Sequence, residues 1–136
     1  MKLLTHRLRQ IIPGQRAQEH VDDPIAYAKF FDPTSQWTWY VTEGWQRYSR
    51  LAGHTVTDLG DGDLPLSHVH EKGDIAWPGD ITFFGLVIGF EVELGYFTLR
   101  ELESWRGRLG LPLERDLYFE PTPLSVIREA AEAAHV

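Results

Sequence analysis

The chain of 136 residues contains no cysteine and a single methionine. Without thiols, disulfide frameworks, thiolate zinc ribbons, iron–sulfur clusters and cysteine nucleophiles are excluded, and a reducing cytoplasm is the expected compartment. Long apolar runs are missing as well. The longest, Ile81 to Phe90, is interrupted by Thr82, Gly85 and Gly89 and falls well short of the roughly 20 residues a membrane helix needs. It is expected to be a strand, and no role for a membrane is expected. Between Met1 and Gln10 the apolar residues are broken by His6, Arg7 and Arg9, so no secretory core is read there. Also absent are a phosphate-cradling Gly-Lys-Ser/Thr loop, a dinucleotide glycine fingerprint, a serine elbow and a His-Glu-x-x-His helix. No cofactor is expected.

Positive charge is the other scarcity, with 13 Lys plus Arg against 20 Asp plus Glu and a net charge of −7. Residues 1–20 carry Lys2, Arg7, Arg9 and Arg16 against Glu19, a surplus of three, so residues 21–136 hold the remaining minus ten. A groove that follows phosphates needs clustered cations. Direct nucleic-acid contact is therefore disfavoured, and the acidic body suits a partner with a basic surface or simple solubility.

What is present describes one domain over 1–136. Leu3, Leu4, Leu8, Ile11 and Ile12 recur at helical spacing until Pro13 and Gly14, predicting an amphipathic first helix. Ile25 to Phe31, a turn at Asp32 to Ser35, and the alternation of Trp37, Trp39 and Val41 against Thr38, Tyr40 and Thr42 predict an antiparallel hairpin. Residues 44–80 read as an inserted acidic, glycine-rich connection, with a short helix over Trp45 to Ala52. Ile81 to Phe97 resumes the strand pattern. Thr98 with Glu101 forms a capping box for a helix, Leu113 to Glu120 alternates as a last strand, and Val126 to His135 is an alanine-rich tail helix. The expected fold is α+β: an antiparallel sheet of four to five strands, with three helices packed mainly on one face.

Three constellations carry candidate chemistry. His68 and His70, two apart on an extended segment beside Glu71 and Asp74, present both imidazoles to one side and are weak zinc candidates, since their spacing matches no metal motif. On the last strand, alternation puts Glu114 and Asp116 on one face and Arg115 on the other. The preferred reading is a structural ion pair of Arg115 with Glu43 or Glu93. The enzymatic alternative gathers Glu43, Glu93, Glu114 and Asp116 into a carboxylate cluster for general acid–base work or a divalent metal, as in a small metal-assisted hydrolase. Third, Trp37, Trp39, Tyr40 and Trp45 lie within nine residues. Half of such a set is ordinary sheet core, and the rest would anchor a protein partner. The expected partner-binding residues are Tyr40, Trp45, Asp58, Asp61, Asp63, Glu71 and Asp74.

Tyr27 to Pro33, Trp37 to Glu43, Phe84 to Val87, Glu93 to Leu102 and Leu111 to Asp116, in that order, resemble the bacterial DUF2958 family, a domain of unknown function. The resemblance implies a setting among plasmids, integrative elements and phages, whose small accessory proteins interfere with host defence or assist maintenance by binding other proteins. The long connection at 44–80 departs from the family pattern. The expected function is thus that of a non-catalytic, cytoplasmic accessory protein of a mobile element that binds an as yet unidentified protein. An acidic DNA mimic and the carboxylate hydrolase are the alternatives.

Overall fold

The computed structural model describes residues 1–52, 55–56, 63–68 and 76–134, and at 49–52, 55–56 and 76–78 the description is of the backbone. The elements run α1 (His6–Ile11), β1 (Ile25–Ala26), β2 (Ala28–Phe31), β3 (Thr38–Ala52), β4 (Thr55–Val56), β5 (Asp63–Pro65), β6 (Ala76–Ile88), β7 (Val92–Thr98), α2 (Leu99–Ser104), β8 (Glu114–Arg115), β9 (Thr122–Pro123) and α3 (Leu124–Ala134). The class is α+β and the sheet antiparallel, as the alternation predicts. The sheet is larger than the expected four to five strands: β7-β6-β3-β2-β8 form its path and short β4 and β5 both pair with β3, while β1 and β9 make a separate ribbon.

The difference lies in β3. Residues 45–52, expected as a short helix, continue the strand, which pairs with β6 from Thr38↔Ile88 to Arg50↔Ala76. Register shifts between Val41 and Glu43 and between Gln46 and Tyr48 insert extra residues, and a bulge reverses which side chains face which side. The simple alternation of Trp37, Trp39 and Val41 is therefore not continued past Thr42. The expected last strand over Leu113 to Glu120 is likewise reduced to Glu114–Arg115, after which Asp116 to Phe119 form a turn closed by Phe119 N donating to Asp116 O.

Strand periodicity sorts the apolar residues onto two faces. Phe30, Trp39, Val41, Ile81, Phe83 and Phe97 form the larger cluster with Leu3, Leu4, Leu8 and Ile12 of the first segment and Leu102 of α2. Leu86 and Ile88 point the other way, with Ala26, Leu124 and Ile127 of α3. Phe30 and Phe83 are fully buried, their ring centroids 6.2 Å apart, and burial of a side chain of this size stabilises by about 2–3 kcal/mol. Gly85 permits a close approach of β6 to β3, since a Cβ there would stand 1.7 Å from the Tyr40 carbonyl oxygen.

Caps fix the helices. Thr5 Oγ1 accepts from Leu8 N at 3.2 Å to start α1, and Thr98 Oγ1 accepts from Glu101 N at 3.1 Å to start α2, as its sequence signature predicts. At α3, Ser125 donates from its amide (3.0 Å) and hydroxyl (2.6 Å) to the Asp23 carboxylate. These bonds hold Asp23 below the usual carboxylate range, the hydroxyl bond contributing most. No helix among the described residues is long and apolar enough to cross a membrane.

Candidate interaction surface

The carboxylates singled out by sequence do not converge. Glu43, on β3, is buried, and its two oxygens accept from the backbone amides of Arg16 and Gln18, each at 2.9 Å. Arg16 sits at φ 63°, a left-handed conformation that aims neighbouring amides at one anion. Gln18 completes the clasp, its Nε2 donating to the Ile25 (2.8 Å) and Thr42 (2.7 Å) carbonyls while Oε1 accepts from Ile25 N at 2.7 Å. Glu43 is thus the fastener of residues 16–18 to the sheet. Glu93 is exposed on β7, at one end of the strand path, whereas Glu114 lies on β8 at the other. Three steps of about 4.8 Å separate β6, β3, β2 and β8, and β7 is one further out.

The expected ion pair of Arg115 with Glu43 or Glu93 is corrected by the same geometry. Arg115 Nη1 donates instead to the carbonyls of Lys2 and Leu3, tying the first segment to β8. Among the described residues the ion pair formed is Lys29 Nζ with Asp116 Oδ2, at 3.6 Å. Lys29 also lies 6.0 Å from the Phe31 ring centroid and 5.8 Å from that of Tyr40. Asp116 Oδ1 accepts from Tyr118 N at 2.9 Å. Asp116 is therefore spoken for by its own turn and by Lys29, not paired with Glu114 for acid–base work.

Among the described residues no three His, Asp or Glu side chains gather at metal-binding distance. His68 is exposed, with its ring 6.0 Å from that of Tyr48. Asp63 is exposed on β5, opposite Arg47 of β3. Asp58, Asp61, His70, Glu71 and Asp74 lie outside the described residues.

A carboxylate that sequence reading leaves in a turn is tightly held. Asp32 is 3% exposed. Its Oδ1 accepts from Thr34 N (2.8 Å) and Thr34 Oγ1 (2.7 Å), and its Oδ2 from Trp105 Nε1 (3.1 Å). Burial, the largest single influence, raises its pKa, but the bonds from Thr34, Trp105 and Ser35 together outweigh it and lower the value to about 2. The indole so anchored packs at 5.0 Å from Trp39 and 5.4 Å from Trp37. Phe90, 88% exposed, closes on Trp37 at 5.4 Å. Side-chain room is absent at Gly107, where a Cβ would stand 2.6 Å from both Asp32 Oδ2 and Thr34 Oγ1.

The aromatic residues expected to meet a partner are covered. Tyr40 lies half-buried against Phe119 at 5.7 Å, and Trp45 is buried. Trp45 instead backs an exposed residue, with Tyr96 packed edge-on at 6.1 Å and Phe84 tilted against Tyr96 at 4.9 Å. Tyr96 is 72% exposed and Leu94 47%. Both point to the α3 side of the sheet, opposite Phe84 and Leu86 in register. Their strand, β7, ends the path, so among the described residues its outer backbone groups pair with no further strand. Exposed Glu91 precedes it, and exposed Glu93 lies within it on the opposite face from Leu94 and Tyr96. A seven-residue edge left unpaired among the described residues, with outward apolar side chains, is what strand addition by another chain requires. The signal is in the sequence, as Val92, Leu94 and Tyr96 share one parity, but only the strand order marks them as an edge.

A family model matches the chain over residues 72–136 and is described as a protein of unknown function (DUF2958). The match takes in β6 to α3 and leaves out Tyr27 to Pro33 and Trp37 to Glu43, on which part of the sequence resemblance rests. No curated protein and no solved structure matches.

Proposed function

We propose that this chain, which matches a domain of unknown function over residues 72–136, is a non-catalytic accessory protein of a mobile genetic element that acts by binding another protein. The observation that carries the reading is the edge strand β7, inside the matched stretch, with Leu94 and Tyr96 turned outward on a bed of Phe84 and Trp45. Most of a surface this polar contributes little to affinity, whereas a few aromatic and aliphatic anchors dominate it. The partner places an extended segment beside β7. Backbone bonds supply affinity there, and Tyr96 and Leu94 select apolar side chains. Glu91 at the start of the strand and Glu93 on its other face favour a basic partner, in keeping with the net charge of −7.

The separation of Glu43 and Glu93 from Glu114 and Asp116, and the engagement of Asp116 by Lys29, disfavour the hydrolase reading, for general acid–base chemistry needs its groups within hydrogen-bond reach of one substrate. The test is affinity capture from a bacterial host that carries the element, quantified by mass spectrometry. A defined host protein is expected on the wild-type chain and to fall about tenfold or more on Leu94→Lys/Tyr96→Lys. Glu114→Gln/Asp116→Asn is expected to retain it. Equal capture by a folded Leu94→Lys/Tyr96→Lys variant would overturn the proposal.

A further inference from the structure

We propose that the groove between α1 and α2 is a separate docking site, for an extended acidic peptide segment bearing aliphatic side chains. Two adjoining cavities, of about 540 and 480 Å³, share Arg9, Leu99 and Glu103 and so form one trough. Its floor is apolar: Leu3, Leu4, Leu102 and Leu113 along one part, Ile81 and Leu99 along the other. Its rim is cationic. Lys2 and Arg106 stand at one end, Arg9 at the middle and Arg100 at the other end.

The sign is the reverse of the molecule's. In a chain of net charge −7, four cations border this trough against two carboxylates, Asp80 and Glu103. Asp80 is already engaged, its Oδ1 accepting from the amides of Ile81 (2.8 Å) and Arg100 (3.3 Å). None of the four cations makes an ion pair among the described residues. Two are nonetheless tethered. Arg9 Nη1 donates to Gln46 Oε1 at 3.4 Å, and Arg106 Nη1 donates to the carbonyls of Glu103 (3.0 Å) and Trp105 (2.6 Å), which fixes each guanidinium and leaves its remaining N–H groups for an incoming carboxylate.

The spacing selects the ligand. Cations gathered at one point would suit a single anionic head group, whereas these are strung along the trough with aliphatic floor between them. An extended segment alternating carboxylates with Leu, Ile or Val meets both features at once. A nucleic-acid strand is poorly served, because the floor offers no aromatic face for bases to stack on. The trough lies on the α1–α2 face, and Leu94 and Tyr96 lie on the α3 face, so this site does not depend on the β7 reading.

Selection of displayed random dodecapeptides against the intact chain tests it. Peptides rich in Asp or Glu and in branched aliphatics are expected to enrich, and a synthetic copy of the leading one to bind in fluorescence anisotropy with an affinity that falls as salt rises. Arg9→Glu/Arg106→Glu is expected to weaken binding about tenfold or more, and Lys2→Glu/Arg100→Glu, at two exposed positions, severalfold. Leu94→Lys/Tyr96→Lys is expected to leave it unchanged. Failure of acidic peptides to enrich, or unchanged affinity in both charge-reversed pairs with melting profiles intact, would overturn the proposal.

Discussion

Asp32 illustrates how one side chain ties a turn, a helix end and an aromatic cluster together. Its pKa is depressed from 3.8 to about 2, so the folded state holds fewer protons there than the unfolded chain between those values. The resulting stabilisation is complete above the unfolded pKa and is lost as pH falls through that window. Chemical denaturation at a series of pH values is expected to show a decline below about pH 4 that is shallower in Asp32→Asn. Asp32→Ala leaves the Trp105 indole and the Thr34 donors without their acceptor, and is expected to cost about 2 kcal/mol at neutral pH by urea titration. Gly107→Ala should be comparably harmful, because its added methyl meets the same carboxylate. Sequence reading places Asp32 in the right turn but has no means of seeing Trp105, 73 positions away, above it. Glu43 and Arg115 are legible as residues needing partners. Their partners are backbone groups, the amides of Arg16 and Gln18 and the carbonyls of Lys2 and Leu3, and no pattern of side-chain types announces such pairings.

At the scale of elements, signals confined to neighbouring residues survive best. The hairpin of β2 and β3 and the capping of α2 are local, and both stand where periodicity and the Thr98–Glu101 spacing put them. Thr98→Ala is expected to cost about 1 kcal/mol by thermal or urea unfolding, since an orphan amide at the start of α2 loses its acceptor. The far half of β3 is illegible for a definite reason. At the shift between Val41 and Glu43 the inward parity passes from Val41 to Gly44, which faces Phe83. A bulged strand thereby loses the period of two that identifies it. The same pairing makes Gly85 irreplaceable. With 1.7 Å between its added Cβ and the Tyr40 carbonyl, Gly85→Ala must part β3 from β6, and the expected loss exceeds that of a cavity-forming substitution such as Leu86→Ala, itself about 3 kcal/mol. A Gly85→Ala chain that unfolds at the wild-type urea midpoint would show the register at Val41 to be wrong.

Over the whole molecule, the matched stretch and the folding unit do not coincide. Residues 72–136 supply β6, β7, α2, β8, β9 and α3, yet these elements are not contiguous in the sheet. β6 and β8 are joined only through β3 and β2, and β9 pairs with β1, all from outside the match. Leu86 and Ile88 pack with Leu124 and Ile127 inside the match, but Ala26 completes that cluster. On the other face Phe83 and Phe97 rest on Phe30, Trp39 and Val41 together with the leucines of the first segment. Without residues 1–71 the fragment keeps one hairpin and two helices, and a lone hairpin is marginal in water because its apolar face has nothing to bury against. A fragment of residues 72–136 is therefore expected to show no cooperative thermal transition and rapid amide exchange. Adding residues 1–71 as a second chain should restore both the transition and protection at Phe83 and Phe97, if the central pairing of β3 with β6 is what unites the fold. A sigmoidal transition in the isolated fragment would mean that the matched half carries its own core and that its stability does not depend on the pairing of β6 with β3.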